Sequence, residues 1–176
     1  MKRFSLEENQ FKNVQKVGTL AIDIGNSTTV VAFQGEEDEK PTLLDLPPIS
    51  RIQGEIPSLV LLQEEMQRML VGQQIIDLTL TAEEKKYICS DFKRWIGTET
   101  PPHLNNSKLL PEKAGEILIQ QVWERLPSEL TIKRLVLTAP VDSYRAYRTW
   151  LHKVCNSLQV DEIALVDEPT AAAMGA

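Results

Sequence analysis

The pattern of hydrophobic and polar positions opens with two apolar runs joined by a polar turn. Residues 20–31 read LAIDIGNSTTVV, in which the first run ends around Asp23 and the second begins near Thr28. An apolar run, a short polar turn and a second apolar run are typical of two antiparallel strands. We therefore predict a β-hairpin with strands at residues 19–24 and 28–34.

The predicted turn places a carboxylate next to a glycine and several hydroxyls. Asp23 precedes Gly25, and Ser27, Thr28 and Thr29 follow it. Backbone N–H groups of such a turn can approach a phosphate, and a carboxylate can hold the metal that accompanies it. The same residue types are also ordinary in plain hairpin turns. The turn alone therefore leaves two interpretations open, phosphate binding and a plain hairpin.

Further short strands and four helices follow along the chain. Thr81 and Glu84 form a capping-box pattern that predicts a helix. Pro111 begins another, and Asp142 or Ser143 caps a third. The predicted strands lie at residues 43–46, 59–62, 69–72, 132–138 and 162–166, and the predicted helices at residues 81–96, 111–126, 143–158 and from 171 onward.

The strand–helix–strand stretch near the end predicts two parallel strands. Together with the hairpin, it indicates an α/β fold: a mixed sheet with a parallel β-α-β extension and helices on both faces. Ligands of such sheets bind outside the carboxyl ends of the strands. We therefore expect the turns at residues 23–27, 138–143 and 167–170 to converge on one crevice.

Length, charge and cysteine usage exclude several classes of protein. The 176 residues suffice for one domain with a substantial core. A net charge of −6 disfavours a nucleic-acid surface. Cys89 and Cys155 lack metal-ligand spacing, and no apolar run approaches the roughly 18–20 residues of a membrane span. We expect a cytoplasmic protein that binds neither nucleic acid nor membrane, with residues 1–17 as an N-terminal extension.

Lys93 and Arg94 lie in the last turn of the helix predicted at residues 81–96. Positive charge there complements the helix dipole, by about 0.3–1 kcal/mol for each cation. Spacing alone therefore favours a structural interpretation of both residues.

Several segments resemble, in order, motifs of the seventy-kilodalton heat-shock proteins, the DnaK-type chaperones. AIDIGNSTTVVA resembles the first phosphate loop of that family. IPSLV, LVG and FKRWIG resemble its PSYV, VG and AKRLIG segments. LTAPVDSYR resembles a shortened TVPAYFNDSQR, and DEPTAAA is similar to NEPTAAA. These matches span residues 19–176.

The resemblance implies the first lobe of an actin-like ATPase domain, with the ribonuclease H-like fold, at residues 18–176. Residues 40–110 would form a reduced upper subdomain, because the loop before Pro111 is shorter than in typical members. The expected cofactors are ATP or ADP and Mg²⁺. The partners of the parent protein would be unfolded client proteins and co-chaperones.

The resemblance also implies roles for the phosphate loop. Asp23 would help to hold Mg²⁺ through water, as both a metal ligand and a catalytic residue. Gly25, Asn26, Ser27 and Thr28 would line the phosphates of the nucleotide.

Four further residues take roles from the resemblance. Lys93 would reach the γ-phosphate and the attacking water, a role that suits a flexible point charge. Glu168 would orient water or metal. Pro140 and Arg145 resemble the pair that senses the nucleotide and relays its state outward.

The departures from the family limit what this chain is expected to do alone. It has nothing like DLGGGT, the phosphate loop of the second lobe, and the peptide-binding domain is also missing. Asn26 stands where the family usually has a hydroxyl. We therefore predict half of a nucleotide site that is inactive by itself. The alternatives are a lobe of another actin-like protein, such as a sugar kinase or a filament protein, and a non-catalytic interaction module.

Overall fold

The structure, a computed structural model, describes residues 15–63, 68–99, 109–141 and 144–174. Most of the predicted N-terminal extension and the predicted capping residues Asp142 and Ser143 lie outside these ranges. The strands are β1 (Lys16–Ile24), β2 (Thr28–Gly35), β3 (Thr42–Leu43), β4 (Glu55–Pro57), β5 (Val60–Gln63), β6 (Arg68–Val71), β7 (Ile88–Cys89), β8 (Leu130–Ala139) and β9 (Glu162–Asp167). The helices are α1 (Gln73–Ile76), α2 (Pro111–Trp123), α3 (Tyr144–Cys155) and α4 (Glu168–Met174).

A six-stranded mixed sheet forms the centre of the fold. Its order is β3-β2-β1-β8-β9, and β4 also pairs with β2. Strands β1 and β2 are antiparallel, whereas β8 is parallel to both β1 and β9. The predicted opening hairpin and the predicted parallel β-α-β unit are therefore confirmed.

The core lies against one face of this sheet. Leu20 and Ile22 of β1 are aligned with Leu135 and Leu137 of β8, and all four are buried. They share one apolar cluster with the buried residues of α2 and α3. Burial of each such side chain contributes about 1.5–3 kcal/mol. This cluster fixes the three parallel strands whose carboxyl ends carry the site.

The opposite face of the sheet is less covered. Ala21, Val136 and Ala164 lie side by side on that face and are only half-buried. Because α2 and α3 belong to the same cluster, they cover the same face. Helices α2 and α3 cover the core side of the sheet, and the expectation of helices on both faces stays a prediction.

The long helix predicted at residues 81–96 is wrong. The chain instead forms two short 3₁₀ turns, Glu84–Tyr87 and Phe92–Trp95, on either side of β7. Strand β7 pairs with β5, which also pairs with β6, so that the three make a small antiparallel sheet. Tertiary pairing of this segment therefore overrides its helical periodicity.

Local geometry explains where the predicted helix stops. The capping box itself forms, since the backbone N–H and the hydroxyl of Thr81 both donate to Glu84 Oε2, at 2.8 and 2.7 Å. Ile88 is nevertheless extended, with ψ 122°, and Asp91 is left-handed, with φ 53°. The cap is correctly recognised in the sequence, but it nucleates only one turn.

The turn that carries Lys93 is anchored between α2 and α3. The N–H of Gly97 donates to Glu112 Oε1 at 2.8 Å, and Trp150 Nε1 donates to the Glu112 carbonyl at 3.1 Å. Gly97 has φ +76°, and a Cβ there would lie 2.5 Å from the Cβ of Ala146. Only glycine therefore fits this close approach.

Among the described residues, each helix is too short or too polar to span a membrane.

Candidate functional site

The carboxyl ends of β1, β8 and β9 meet at one edge of the sheet. Ile22 is aligned with Leu137, and Thr138 with Val166. Asp23 is therefore level with Thr138, and Glu168 follows the end of β9 by one residue. The carboxyl ends of these strands therefore lie side by side as predicted, and a crevice shared by all three turns stays a prediction.

The turn after β1 is held in one shape by backbone and hydroxyl bonds. The N–H of Gly25 donates to the Thr28 carbonyl at 3.0 Å, and the N–H of Ser58 donates to the Ser27 carbonyl at 2.9 Å. A Cβ on Gly25 would lie 2.3 Å from the Thr28 carbonyl oxygen, so a larger residue does not fit this turn. Asn26 and Ser27 are exposed at its tip.

Ser58 supports this turn from below, a role that the sequence analysis did not identify. Its hydroxyl donates to the Gly25 carbonyl at 2.8 Å and lies 2.9 Å from the Thr29 hydroxyl. Ser58 and Thr29 are both buried. Ser58 is visible in the sequence within the PSLV segment. Its residue type and its place at the start of a short strand do not predict which groups its hydroxyl contacts.

The tip of the turn lines a cavity of about 320 Å³. Asn26, Ser27 and Thr28 form one wall, and Arg51 and Asp91 are among the other lining residues. Three of the four residues predicted to contact phosphate thus border the same open space.

The carboxylate of Asp23 is oriented by Thr138, whose hydroxyl donates to Asp23 Oδ1. Thr138 is a second residue that the sequence analysis missed as part of the site. The strand register that brings it next to Asp23 is a property of the folded sheet. The bond gives the exposed Asp23 carboxylate a defined orientation.

Lys93 and Glu168 form an ion pair across the site, between Nζ and Oε1. The Lys93 side chain is 8% exposed and that of Glu168 41%. A buried ammonium needs a charged partner, because its desolvation is costly. The helix-dipole interpretation of Lys93 is therefore wrong: the predicted helix is absent, and the amine pairs with a residue 75 positions away.

Asp167 caps the helix that begins with Glu168. Its Oδ1 accepts the Thr170 N–H and its Oδ2 accepts the Thr170 hydroxyl, both at 2.8 Å. These bonds from the Thr170 hydroxyl and then its N–H hold the pKa of the Asp167 carboxyl below its ordinary value. Asp167 therefore fixes the start of α4, and with it the position of Glu168.

Tyr147 lies in the first turn of α3, on the core side of the site. It is 0% exposed, and its ring centroid is 5.2 Å from that of Trp150. Burial strongly raises the pKa of the Tyr147 hydroxyl, and the carboxylates of Glu168 and Asp23 raise it further. The sequence pattern correctly placed Tyr147 on the buried face of its helix, but it gave no indication of these neighbours.

The two residues expected to relay the nucleotide state do not join the ion pair. Pro140 follows β8 and is half-buried. Arg145 is exposed on α3 and lines a groove of about 780 Å³ that Glu112 and Lys153 also border. The structure thus pairs Lys93 with Glu168 at the end of the sheet where Asp23 also lies, and places Arg145 in the groove between α2 and α3.

Asp23 and Glu168 could each contribute a ligand to a metal site at this end of the sheet. Among the described residues, no group of three or more His, Cys, Asp or Glu side chains could hold a metal ion. Mg²⁺ commonly uses one or two carboxylates and completes its shell with water and substrate phosphates. Asp23, with Glu168 nearby, offers that kind of partial site.

No family model matches the chain. Two curated relatives do match it over most of its length. The chain is similar to DnaK chaperones. It is 27% identical over 159 residues to the chaperone protein DnaK of Metamycoplasma hominis, and this alignment covers 88% of this chain and 25% of that protein. It is 28% identical over 165 residues to the chaperone protein DnaK of Methanothermobacter thermautotrophicus, and this alignment covers 91% of this chain and 26% of that protein.

These similarities support a relationship to the DnaK chaperones at low identity. The chain spans about a quarter of the length of either curated relative. The activity and partners of a whole DnaK protein are therefore not established for this chain by similarity.

Proposed function

We propose that this chain provides the phosphate and magnesium side of a nucleotide site in a DnaK-like, ATP-dependent chaperone. The single observation that carries the proposal is the Lys93–Glu168 ion pair at the same sheet edge as Asp23. The similarity to two DnaK chaperones supports it. It also favours this function over a sugar kinase or a filament protein.

In this proposal the chain folds as the first lobe of an actin-like domain. Residues 18–176 form the lobe, and residues 40–110 contribute its small upper part. The three-stranded sheet β6-β5-β7 supports that division, because it is separate from the central sheet. A second lobe would supply the other side of the nucleotide site, and unfolded proteins and co-chaperones would be the partners of the whole chaperone.

The phosphate loop binds the β- and γ-phosphates. Gly25 lets the backbone of the loop turn tightly, and Asn26, Ser27 and Thr28 present N–H groups and polar side chains to the phosphates. The Ser58 bonds to the loop keep this shape before the ligand arrives. Asn26 can donate from its amide, but it lacks the hydroxyl usual in the family.

The charged residues neutralise and position the reacting groups. Bound Mg²⁺ would supply charge neutralisation on the phosphates. Asp23, oriented by Thr138, would hold a water of that ion. Lys93 leaves the pair with Glu168 to approach the γ-phosphate, and Glu168 then orients a water molecule. Phosphoryl transfer depends mainly on such positioning and electrostatic stabilisation.

Replacement of the buried lysine tests this assignment. In a protein that carries both lobes, we expect Lys93→Ala to abolish ATP hydrolysis while ATP binding is retained. The matched control is Lys113→Ala, since Lys113 is an exposed lysine in a surface ion pair on α2. Hydrolysis at the unsubstituted rate in Lys93→Ala would remove Lys93 from the catalytic machinery.

The affinity of the chain alone tests the one-lobe part of the proposal. A single lobe contacts only one side of the nucleotide, so we expect millimolar binding of ATP. A fluorescent-nucleotide titration that gives micromolar or tighter affinity would contradict it. Absence of any nucleotide effect in both the chain and a two-lobe protein would instead favour a non-catalytic interaction module.

A further inference from the structure

The Tyr147 hydroxyl is a buried polar group without an explanation in the packing. Within the described residues, its oxygen is buried and has no hydrogen-bond partner. An unpaired buried hydroxyl destabilises the folded protein, and such groups are rare in native proteins. A phenylalanine would fill the same apolar space beside Trp150 without that cost.

Tyr147 lies near the end of the sheet that carries the candidate site. Tyr147 belongs to the first turn of α3, which follows the carboxyl end of β8. The carboxylates of Glu168 and Asp23 both act electrostatically on the hydroxyl, yet neither accepts a hydrogen bond from it. Groups that are close in this sense but not in direct contact are commonly bridged by a water molecule.

The chemistry of a phenol and a carboxylate fits one bridging water. The phenol keeps its proton because burial raises its pKa, so it can donate. A carboxylate can only accept. A water between them accepts from the phenol and donates to the carboxylate, and so satisfies both. Buried waters need two to four such polar partners.

We propose that the Tyr147 hydroxyl donates a hydrogen bond to a water molecule that Glu168 also binds, and that Tyr147 is thereby a positioning residue of the site. This inference rests on the proposed function, in which Glu168 orients a water beside the phosphates. The Tyr147 hydroxyl gives this water a fixed donor on α3. Without that donor, only the half-exposed carboxylate of Glu168 would hold the water.

The first test measures thermal unfolding without ligand. Tyr147→Phe removes one oxygen, and the matched control is Tyr87→Phe at a tyrosine that is 43% exposed. If the hydroxyl binds water, its loss lowers the melting temperature by roughly 2–4 °C relative to the control. An unchanged or higher melting temperature overturns the inference, since an unpaired hydroxyl only disfavours folding.

The second test measures steady-state ATP hydrolysis in a protein that carries both lobes. Because the bridging water is the one that Glu168 orients, we expect Tyr147→Phe to lower kcat by about 10-fold while the KM for ATP is unchanged. A kcat equal to that of the unsubstituted protein overturns the inference. If the unsubstituted two-lobe protein does not hydrolyse ATP, the proposed function fails, and the thermal test still decides the role of Tyr147.

Discussion

The substitution Ser58→Ala tests how the phosphate loop is held in place. Ser58 is 1% exposed and Thr29 0%. The change removes the bond from the Ser58 hydroxyl to the Gly25 carbonyl and its bond with the Thr29 hydroxyl. Both partners then lose a hydrogen bond. At about 1–1.5 kcal/mol for each of the two bonds, the free energy of unfolding falls by about 2–3 kcal/mol.

Urea and thermal unfolding measure this loss directly. For a chain of this length the expected fall in melting temperature is roughly 4–12 °C. The matched control is Ser128→Ala, because Ser128 is exposed in the turn before β8. A double-mutant cycle with Thr29→Val isolates the bond between the two hydroxyls, with an expected coupling of about 0.5–1.5 kcal/mol. A loss below about 1 kcal/mol for Ser58→Ala would refute the support that we assign to this residue.

Three further predictions concern residues in and around the candidate site. Glu168→Ala leaves the buried Lys93 ammonium without its charged partner, and we expect it to lower the free energy of unfolding by roughly 1–3 kcal/mol. Lys93→Met leaves only a half-exposed carboxylate unpaired, and we expect it to lower the free energy of unfolding by less than about 1 kcal/mol. Equal losses for the two variants in urea unfolding would contradict this asymmetry. Asp91→Gly relieves the left-handed backbone, with φ 53°, and raises stability by about 0.5–1 kcal/mol in the same assay. The Asp167 cap stabilises the protein fully above the ordinary aspartate pKa of about 3.9, and this stabilisation is lost as the pH falls through the lowered pKa of Asp167. Asp167→Asn therefore flattens the acid limb of a plot of melting temperature against pH, and an unaltered limb would contradict the capping role.

The sequence was most informative where local patterns and the final contacts agree. The hairpin follows from two apolar runs around a turn, and the parallel unit follows from a strand, an amphipathic helix and a strand. The segment before Gly97 shows the opposite case. Its helical spacing and its cap are real, but the pairing of Cys89 with Val60 competes with the helix. Only the folded chain reveals which of the two is stronger.

The site was predictable in its residue types and only partly in its contacts. Asp23 and the loop after it are recognisable from residue type and order. The partner of Lys93 could not be deduced from spacing, because Glu168 lies on another element. The roles of Thr138 and Ser58 depend on strand register and loop packing. A buried face could be assigned to Tyr147, but helical periodicity carries no information about its hydroxyl.

The most direct test of the central claim is a titration of the isotopically labelled chain with Mg·ATP, followed by amide chemical shifts at millimolar nucleotide. We expect the largest changes at Gly25, Asn26, Ser27 and Glu168, and we expect their Mg²⁺ dependence to disappear in Asp23→Asn. Changes confined to the groove beside Arg145, or no change at the phosphate loop, would contradict a nucleotide site at this edge of the sheet.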